Sequence, residues 1–168
     1  MTGPRGLGRV ALVGVSAALC ACVTEDPRRR DVPRPPSDAV PSSVQLFASA
    51  PRDTNANGYA DTMAVTVFLF DEKRYVLPLA CEGSFRFRLV GGSGAELARW
   101  DKSEADANAA LTGMPPGPGY RFELSLLDKG QDKIENQQAE LSVEFTPKSG
   151  AAIRAAGGAA LRLGRIAQ

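Results

Sequence analysis

The stretch Ser84–Val90, "SFRFRLV", alternates apolar and polar side chains with a period of two residues. Successive side chains of a β-strand point to opposite faces of its sheet, so this alternation predicts a strand. One face would carry three apolar groups and the other two charged groups, namely Phe85, Phe87 and Leu89 against Arg86 and Arg88. We therefore predict a half-buried strand, with one face in a core and the other in solvent.

Two further stretches alternate in the same way, Tyr120–Leu127 ("YRFELSLL") and Glu140–Phe145 ("ELSVEF"). Their expected inward-facing residues are Tyr120, Phe122, Leu124, Leu126, Leu141, Val143 and Phe145. By contrast, Met63–Phe70 ("MAVTVFLF") is apolar nearly throughout and rich in β-branched and aromatic residues. Such a composition predicts a central strand that is covered on both faces.

Weaker strands are expected at residues 44–48, 96–100 and 159–166, and residues 101–111 form the one candidate helical turn. Glycine- and proline-rich turn signals separate these segments, and no long helix lies between them. The pattern predicts an all-β domain at residues 44–168, an antiparallel sandwich of about 7 to 8 short strands. The domain resembles immunoglobulin-like sandwiches, although the cysteine–tryptophan–cysteine arrangement of true immunoglobulin domains is missing.

The composition argues against catalysis. The 168-residue chain contains no histidine, which removes the commonest general base and the commonest transition-metal ligand. No nucleophile motif accompanies its carboxylates, so we expect no catalytic residues and no enzyme activity. The formal net charge of +1 gives no indication of a nucleic-acid partner.

The N-terminus carries Arg5 and Arg9, followed by a short apolar segment that is unable to span a bilayer as a mature helix. This is the layout of a secretory signal. Its end, Leu19-Cys20-Ala21-Cys22, resembles the lipobox of bacterial lipoproteins. The resemblance implies a signal peptide at residues 1–21 and lipidation of Cys22. Cys20 fits less well, because Leu19 would then occupy a position that requires a small residue.

The lipobox resemblance implies a membrane partner and a location. Lipoproteins carry several acyl chains such as palmitate, and more than one chain is needed for stable anchoring. We therefore expect a lipid-anchored protein of the bacterial cell envelope. Val23 and Thr24 follow the cysteine in place of the aspartate that resembles an inner-membrane retention signal, which favours the outer membrane in a two-membrane host. An ordinary signal peptide with incidental cysteines is the alternative.

Residues 22–43 combine many prolines and arginines with few apolar side chains. Such a segment buries too little surface to fold, and its prolines favour extended conformations. We predict a disordered, semi-stiff tether between the lipidated cysteine and the domain. Processing would leave Cys81 without a second thiol for an intramolecular disulfide, and we expect Cys81 to be a small buried residue.

The stretch Pro51–Met63, "PRDTNANGYADTM", contains the candidate metal site. Its oxygen-bearing side chains recur at alternate positions, with a glycine where the chain must turn sharply. This spacing resembles the EF-hand-like loops of dockerins and the loops of thrombospondin type 3 repeats. The resemblance implies a structural calcium ion, with one main-chain carbonyl and four side chains as ligands: Asp53, Asn55, Asn57, the carbonyl of Tyr59, and Asp61.

This loop departs from the EF-hand pattern in two respects. Ala64 stands where the twelfth position requires a bidentate glutamate, and a strand rather than a helix follows. With two charged ligands the affinity is expected to be weak, on the order of 10⁻⁴–10⁻³ M. A further carboxylate from Asp128 or Asp132 would strengthen the site. The alternative is a polar turn built on Asn57-Gly58.

The sequence therefore indicates an anchored binding or structural module whose partner is an unknown envelope protein or polysaccharide. The alternative is a carbohydrate- or polymer-binding accessory module, in which Trp100 and Tyr75 would provide a stacking platform. An exposed Trp100 would favour that alternative. A concave pocket holding two carboxylates close together would instead favour an enzyme.

Overall fold

The structure is a computed structural model that describes residues 38–131 and 133–166. The predicted signal peptide, Cys22, most of the tether and Asp132 lie outside the described residues. No helix in the described part of the chain is long and apolar enough to cross a membrane.

The described residues form ten β-strands, one α-helix and one short 3₁₀-helix. In chain order these are β1 (Ser43–Ala48), β2 (Thr62–Asp71), β3 (Tyr75–Leu79), β4 (Gly83–Gly91), β5 (Glu96–Lys102), α1 (Glu104–Ala110), β6 (Leu111–Met114), β7 (Gly117–Ser125), the 3₁₀-helix (Leu127–Lys129), β8 (Gln137–Pro147), β9 (Ile153–Arg154) and β10 (Ala159–Leu163).

The strands form two five-stranded antiparallel sheets. The first has the order β1-β2-β7-β6, with β3 also paired to β2. The second has the order β10-β8-β4-β5, with β9 also paired to β8. The predicted all-β antiparallel sandwich is confirmed. Its strand number exceeds the expectation because β3, β6 and β9 are short and lack a clear alternation, so their pairing with longer neighbours defines them.

The core lies between the inner faces of the two sheets. In the second sheet Phe85 is paired with Phe145, and Phe87 is paired with Val143. These residues are buried. So are the other side chains that alternation predicted to face inward, namely Leu89, Tyr120, Phe122, Leu124, Leu126 and Leu141. Alternation therefore predicted the core of the alternating strands correctly, because each of these strands has one buried face and one solvated face.

Strand β2 is central in the first sheet, as its composition predicted. It pairs with β1 along one edge and with β7 along the other. Phe68 points outward from the sandwich but is only 7% exposed. The ring of Phe47 packs edge-on against it at a centroid separation of 6.0 Å. A second apolar layer thus covers part of the outer face of β2.

The predicted helical turn is α1. Ser103 caps its N-terminus: the Ser103 hydroxyl accepts from the amide of Asp106, and the Asp106 carboxylate accepts from the amide of Ser103. This reciprocal capping box satisfies two backbone donors that the first turn leaves without a helical partner. Ala107 of this helix is buried and packs in the core.

Trp100 belongs to the core, not to a surface platform. Its side chain is 3% exposed, and its indole N–H donates to the carbonyl of Ser125 at 2.9 Å. Trp100 lies on β5 of the second sheet and Ser125 on β7 of the first, so this hydrogen bond joins the two sheets. The exposed Trp100 that would have favoured the carbohydrate-binding alternative is therefore not found, because the residue falls on the inward face of its strand.

The phenol of Tyr120 forms hydrogen bonds with the segment between β3 and β4. It donates to the carbonyl of Cys81 and accepts from the amide of Cys81, both at 2.7 Å. Burial raises the pKa of Tyr120 to about 12, which keeps the phenol neutral and able to donate. Cys81 itself is half-buried against the core, and burial raises the pKa of its thiol.

Candidate metal-binding loop

The candidate loop connects β1 to β2 and is closed at its base by backbone pairing. The amide of Arg52 donates to the carbonyl of Thr62, and the amide of Asp61 donates to the carbonyl of Arg52, each at 2.8 Å. The loop is thus a continuation of the β1–β2 hairpin. Its closed base brings its first and last predicted ligands, Asp53 and Asp61, to the same end of the hairpin.

Three of the predicted ligand side chains turn back into the loop. The Asp53 carboxylate accepts from the amide of Gly58 at 2.7 Å and from the amide of Asn57 at 3.3 Å. The Asn55 side-chain oxygen accepts from the amide of Asn57 at 3.1 Å. The Asn57 side-chain oxygen accepts from the amide of Tyr59 at 2.8 Å. These Asx-type bonds curl the backbone around the oxygen-bearing groups.

The backbone turns sharply at two positions. Gly58 has φ of 85°, in the left-handed region that glycine enters without strain. Ala56 also has a positive φ, of 60°, which costs free energy for a residue with a Cβ. The sharp turn expected at Gly58 is therefore present, and the hydrogen bonds around Ala56 hold the second one.

Asp61 is fully buried and closes the loop. One of its carboxylate oxygens accepts from the hydroxyl of Thr54 at 2.6 Å. The other accepts from the amide of Thr54 at 3.0 Å. The Thr54 hydroxyl also lies 3.3 Å from the hydroxyl of Thr62. Sequence reasoning missed Thr54, because it occupies a position to which the loop pattern assigns no residue type.

The surroundings of Asp61 favour its charged form. Burial by itself would raise its pKa, but hydrogen bonds from the side chains of Thr54 and Thr62 and from the backbone of Thr54 and Asn55 outweigh burial. The result is a pKa below the usual value of 3.8. A buried carboxylate that is this well bonded holds the loop closed while it is ionised.

Acidification is expected to lower the free energy of unfolding of the domain, because the Asp61 carboxylate becomes protonated. The folded-state pKa lies below the unfolded value, so the carboxylate stabilises the fold above pH ~3.8 and loses this contribution as the pH falls through the folded pKa. We expect the difference in unfolding free energy between wild type and Asp61→Asn, measured in urea, to shrink as the pH falls below the usual value of 3.8 and through the folded-state pKa.

Asp106 contributes to the same acid transition, because hydrogen bonds from Ser103 lower its pKa. Its contribution is common to wild type and Asp61→Asn, so it cancels in the difference between them. A difference that stays constant over the whole pH range would contradict the role assigned to Asp61.

The loop is also tied to the C-terminal end of the domain. The amide of Ala60 donates to the carbonyl of Gly164 at 3.0 Å, and the amide of Ile166 donates to the carbonyl of Gly58 at 2.8 Å. Tyr59 forms an isolated antiparallel bridge with Arg165 between these two bonds. In this arrangement the N–H and C=O of Tyr59 point away from Arg165, towards the loop.

The donor set suits a hard cation. It consists of the side-chain oxygens of Asp53, Asn55 and Asn57 and the Tyr59 carbonyl, and oxygen ligands of this kind are those calcium prefers. Asp61, the fifth predicted ligand, is buried and its carboxylate is occupied by hydrogen bonds from Thr54, Thr62 and the Asn55 backbone. Ala64, at the twelfth position, is part of the β-ladder, where its amide donates to the Ser49 hydroxyl at 3.0 Å. Among the described residues, no three or more His, Cys, Asp or Glu side chains group around a common metal position.

Two other carboxylates have structural partners, and a third is exposed. Asp101 forms an ion pair with Arg86 at 2.6 Å, Asp106 caps α1, and Asp128 is exposed in the 3₁₀-helix. The glycine-rich segment 91–94 forms the β4–β5 hairpin, in which the amide of Gly94 donates to the carbonyl of Gly91 at 2.9 Å.

Comparison with known proteins adds nothing on function. No protein-family model and no curated protein matches this chain. Among solved structures, the chain is similar to the X-ray structure of a Northeast Structural Genomics Consortium target, with a TM-score of 0.35 and 10% sequence identity. The similarity covers 76% of this chain and 90% of that one. At this level it carries no argument about ligand or activity.

Proposed function

We propose that this protein is a lipid-anchored β-sandwich of the bacterial cell envelope, attached through Cys22, that acts as a binding or structural module. The lipobox-like residues Leu19–Cys22 support the anchor, and the prolines and arginines that follow support a tether. The first described residues already contact the domain: Asp38 forms an ion pair with Arg74 at 2.6 Å. The tether would therefore end at the β2–β3 turn.

We further propose that the loop of residues 53–61 binds a structural calcium ion. The observation that carries this proposal is the inward orientation of the Asp53, Asn55 and Asn57 oxygens, which bond to amides of their own loop. The carboxylate oxygens of Asp53 and the side-chain oxygen of Asn55 each accept one N–H bond and keep a lone pair for a cation. Calcium would supply positive charge to these oxygens of the loop.

The proposed role of calcium is structural: the ion would hold the loop closed. The loop leads into the central strand β2, and its far side pairs with residues 164–166 at the end of the chain. An ion that holds the loop closed would therefore also hold the C-terminal segment against the first sheet. Asp61 acts chiefly by accepting the hydrogen bond from Thr54 that closes the loop. Its replacement would therefore disturb the loop even without calcium.

Calcium is expected to raise the melting temperature of the protein. A ligand that binds only the native state adds RT ln(1 + [L]/Kd), or ~1.4 kcal/mol at ten times a millimolar Kd, which corresponds to several degrees. Magnesium should act much less, because it requires rigid octahedral geometry. The measurement is a thermal melt followed by circular dichroism at about 10 mM of either ion.

Matched variants identify the ligands. Asp53→Ala should remove the calcium response, whereas Asp101→Asn, which removes the same charge outside the loop, should retain it. Tyr59→Phe should also retain it, because the proposal uses only the Tyr59 carbonyl. A wild-type midpoint that does not move in calcium would mean that the loop is a polar turn.

A further inference from the structure

The outer face of the second sheet carries the most distinctive surface among the described residues. Two adjoining concavities lie on it, of about 1200 Å³ and 320 Å³. Strand β8 runs through both: residues 136–140 line the larger and residues 142–144 line the smaller. We name the combined depression the β8 groove. The eight residues from Gln137 to Glu144 span roughly 25 Å, long enough for an extended ligand.

Gly158 leaves room for a polar side chain of β8 in the larger concavity. A Cβ at Gly158 would clash with the side chain of Glu140. Gly158 therefore lets the long side chain of Glu140 lie across the sheet. Asn136, Gln137 and Gln138 line this part of the groove and offer amide donors and acceptors.

Four arginines line the smaller concavity: Arg86, Arg88, Arg99 and Arg154. Three carboxylates pair with them and balance part of their charge: Asp101 with Arg86, Glu96 with Arg88 and Arg99, and Glu144 with Arg154 and Arg86. This cluster of four arginines and three carboxylates therefore carries one uncompensated positive charge.

The pairing leaves the arginines able to bind a further anion. Arg88 meets Glu96 through its Nε at 2.7 Å, and Arg154 meets Glu144 through its Nε at 2.6 Å. A guanidinium has five N–H donors in a planar fork, so these bonds leave terminal donors on each group. The side chains are 49% and 81% exposed, respectively. Ion pairing thus orients the guanidinium groups while their outer edges face solvent.

We propose that the β8 groove binds a linear polysaccharide bearing carboxylate groups, which deepens the proposed function as an envelope binding module and rests on it. The arginine cluster would pair with the carboxylates, and the amides around Gln137 would hydrogen-bond to hydroxyl groups. Stacking on aromatic rings is not the means of recognition, because Phe85, Phe87, Trp100 and Phe145 all point into the core.

The test titrates hexagalacturonate into the full chain in nonionic detergent, by isothermal calorimetry, with maltohexaose as the neutral hexamer and tripolyphosphate as the non-sugar anion. We expect hexagalacturonate to bind, more weakly as salt rises. The double variant Arg88→Gln/Arg99→Gln should lose about tenfold or more in affinity, as expected for charge-assisted hydrogen bonds. Arg121→Gln, an exposed arginine on the first sheet, should change affinity less than about twofold.

Arg154→Gln serves as a second variant in case the double variant unfolds, since Arg154 is the most exposed of the four arginines, and it should also weaken binding. The proposal is overturned if hexagalacturonate does not bind at millimolar concentration, if maltohexaose or tripolyphosphate binds as well, or if Arg121→Gln causes the same loss. The titration is made in EGTA, so failure of the calcium site, or of lipidation, leaves its outcome unaffected.

Discussion

Replacing Cys22 with serine is expected to abolish incorporation of labelled palmitate and to release the protein from the membrane fraction. The lipid would be joined through the Cys22 sulfur, and serine offers no thiol for that bond. Each methylene buried in the bilayer contributes ~0.8 kcal/mol, so losing several acyl chains removes essentially all membrane affinity. Metabolic labelling followed by fractionation of cell extracts measures both effects.

The other two cysteines provide the controls. Cys81→Ser should keep full labelling, because Cys81 lies half-buried between β3 and β4. Cys20→Ser should also keep it, since serine remains a small residue at the second lipobox position. Label that persists in Cys22→Ser and disappears in Cys20→Ser would show that Cys20 is the modified residue.

Phe85→Ala is expected to cause the largest loss of stability within the domain. Phe85 is 2% exposed, and its ring lies 4.8 Å from the rings of Tyr120 and Phe145 and 5.4 Å from that of Phe122, measured between centroids. Truncation would leave a cavity between the sheets and remove contacts with both. Such changes cost about 3–5 kcal/mol, so the melting midpoint should fall by roughly ten degrees or more.

Phe47→Ala is the matched control, because it removes the same atoms from a side chain that is 55% exposed. It should cost about 1 kcal/mol or less, mainly through the edge-on contact with Phe68. Chemical unfolding of both variants in urea measures the two losses. An equal loss in the two variants would contradict the position of Phe85 at the centre of the core.

Local periodicity carried most of the information on the fold. The alternation at residues 84–90, 120–127 and 140–145 predicted which side chains enter the core, because the two faces of each strand differ in polarity over its whole length. The continuous apolar composition of residues 63–70 located β2, and residues 101–111 were the one candidate helical turn, which is α1. The residue types and spacing of the loop also predicted its sharp turn at Gly58.

Several features could not be read from local pattern. Strands β3, β6 and β9 depend on pairing with longer neighbours, and their own residues show little alternation. The sequence left open whether Trp100 faces solvent or the core, and the structure places it on the inward face of β5. Thr54 was overlooked, because its role appears only when the hairpin closes and brings it against Asp61.

The sequence by itself determined the strand-forming segments, the inward faces of the alternating strands and the turn residues, because each depends on neighbours within a few positions. The tertiary structure decided which strands pair, which loop meets the C-terminal segment, and how arginines from β4, β5 and β9 assemble over β8. These features join residues far apart in the chain, so they depend on which faces and edges meet when the two sheets pack together.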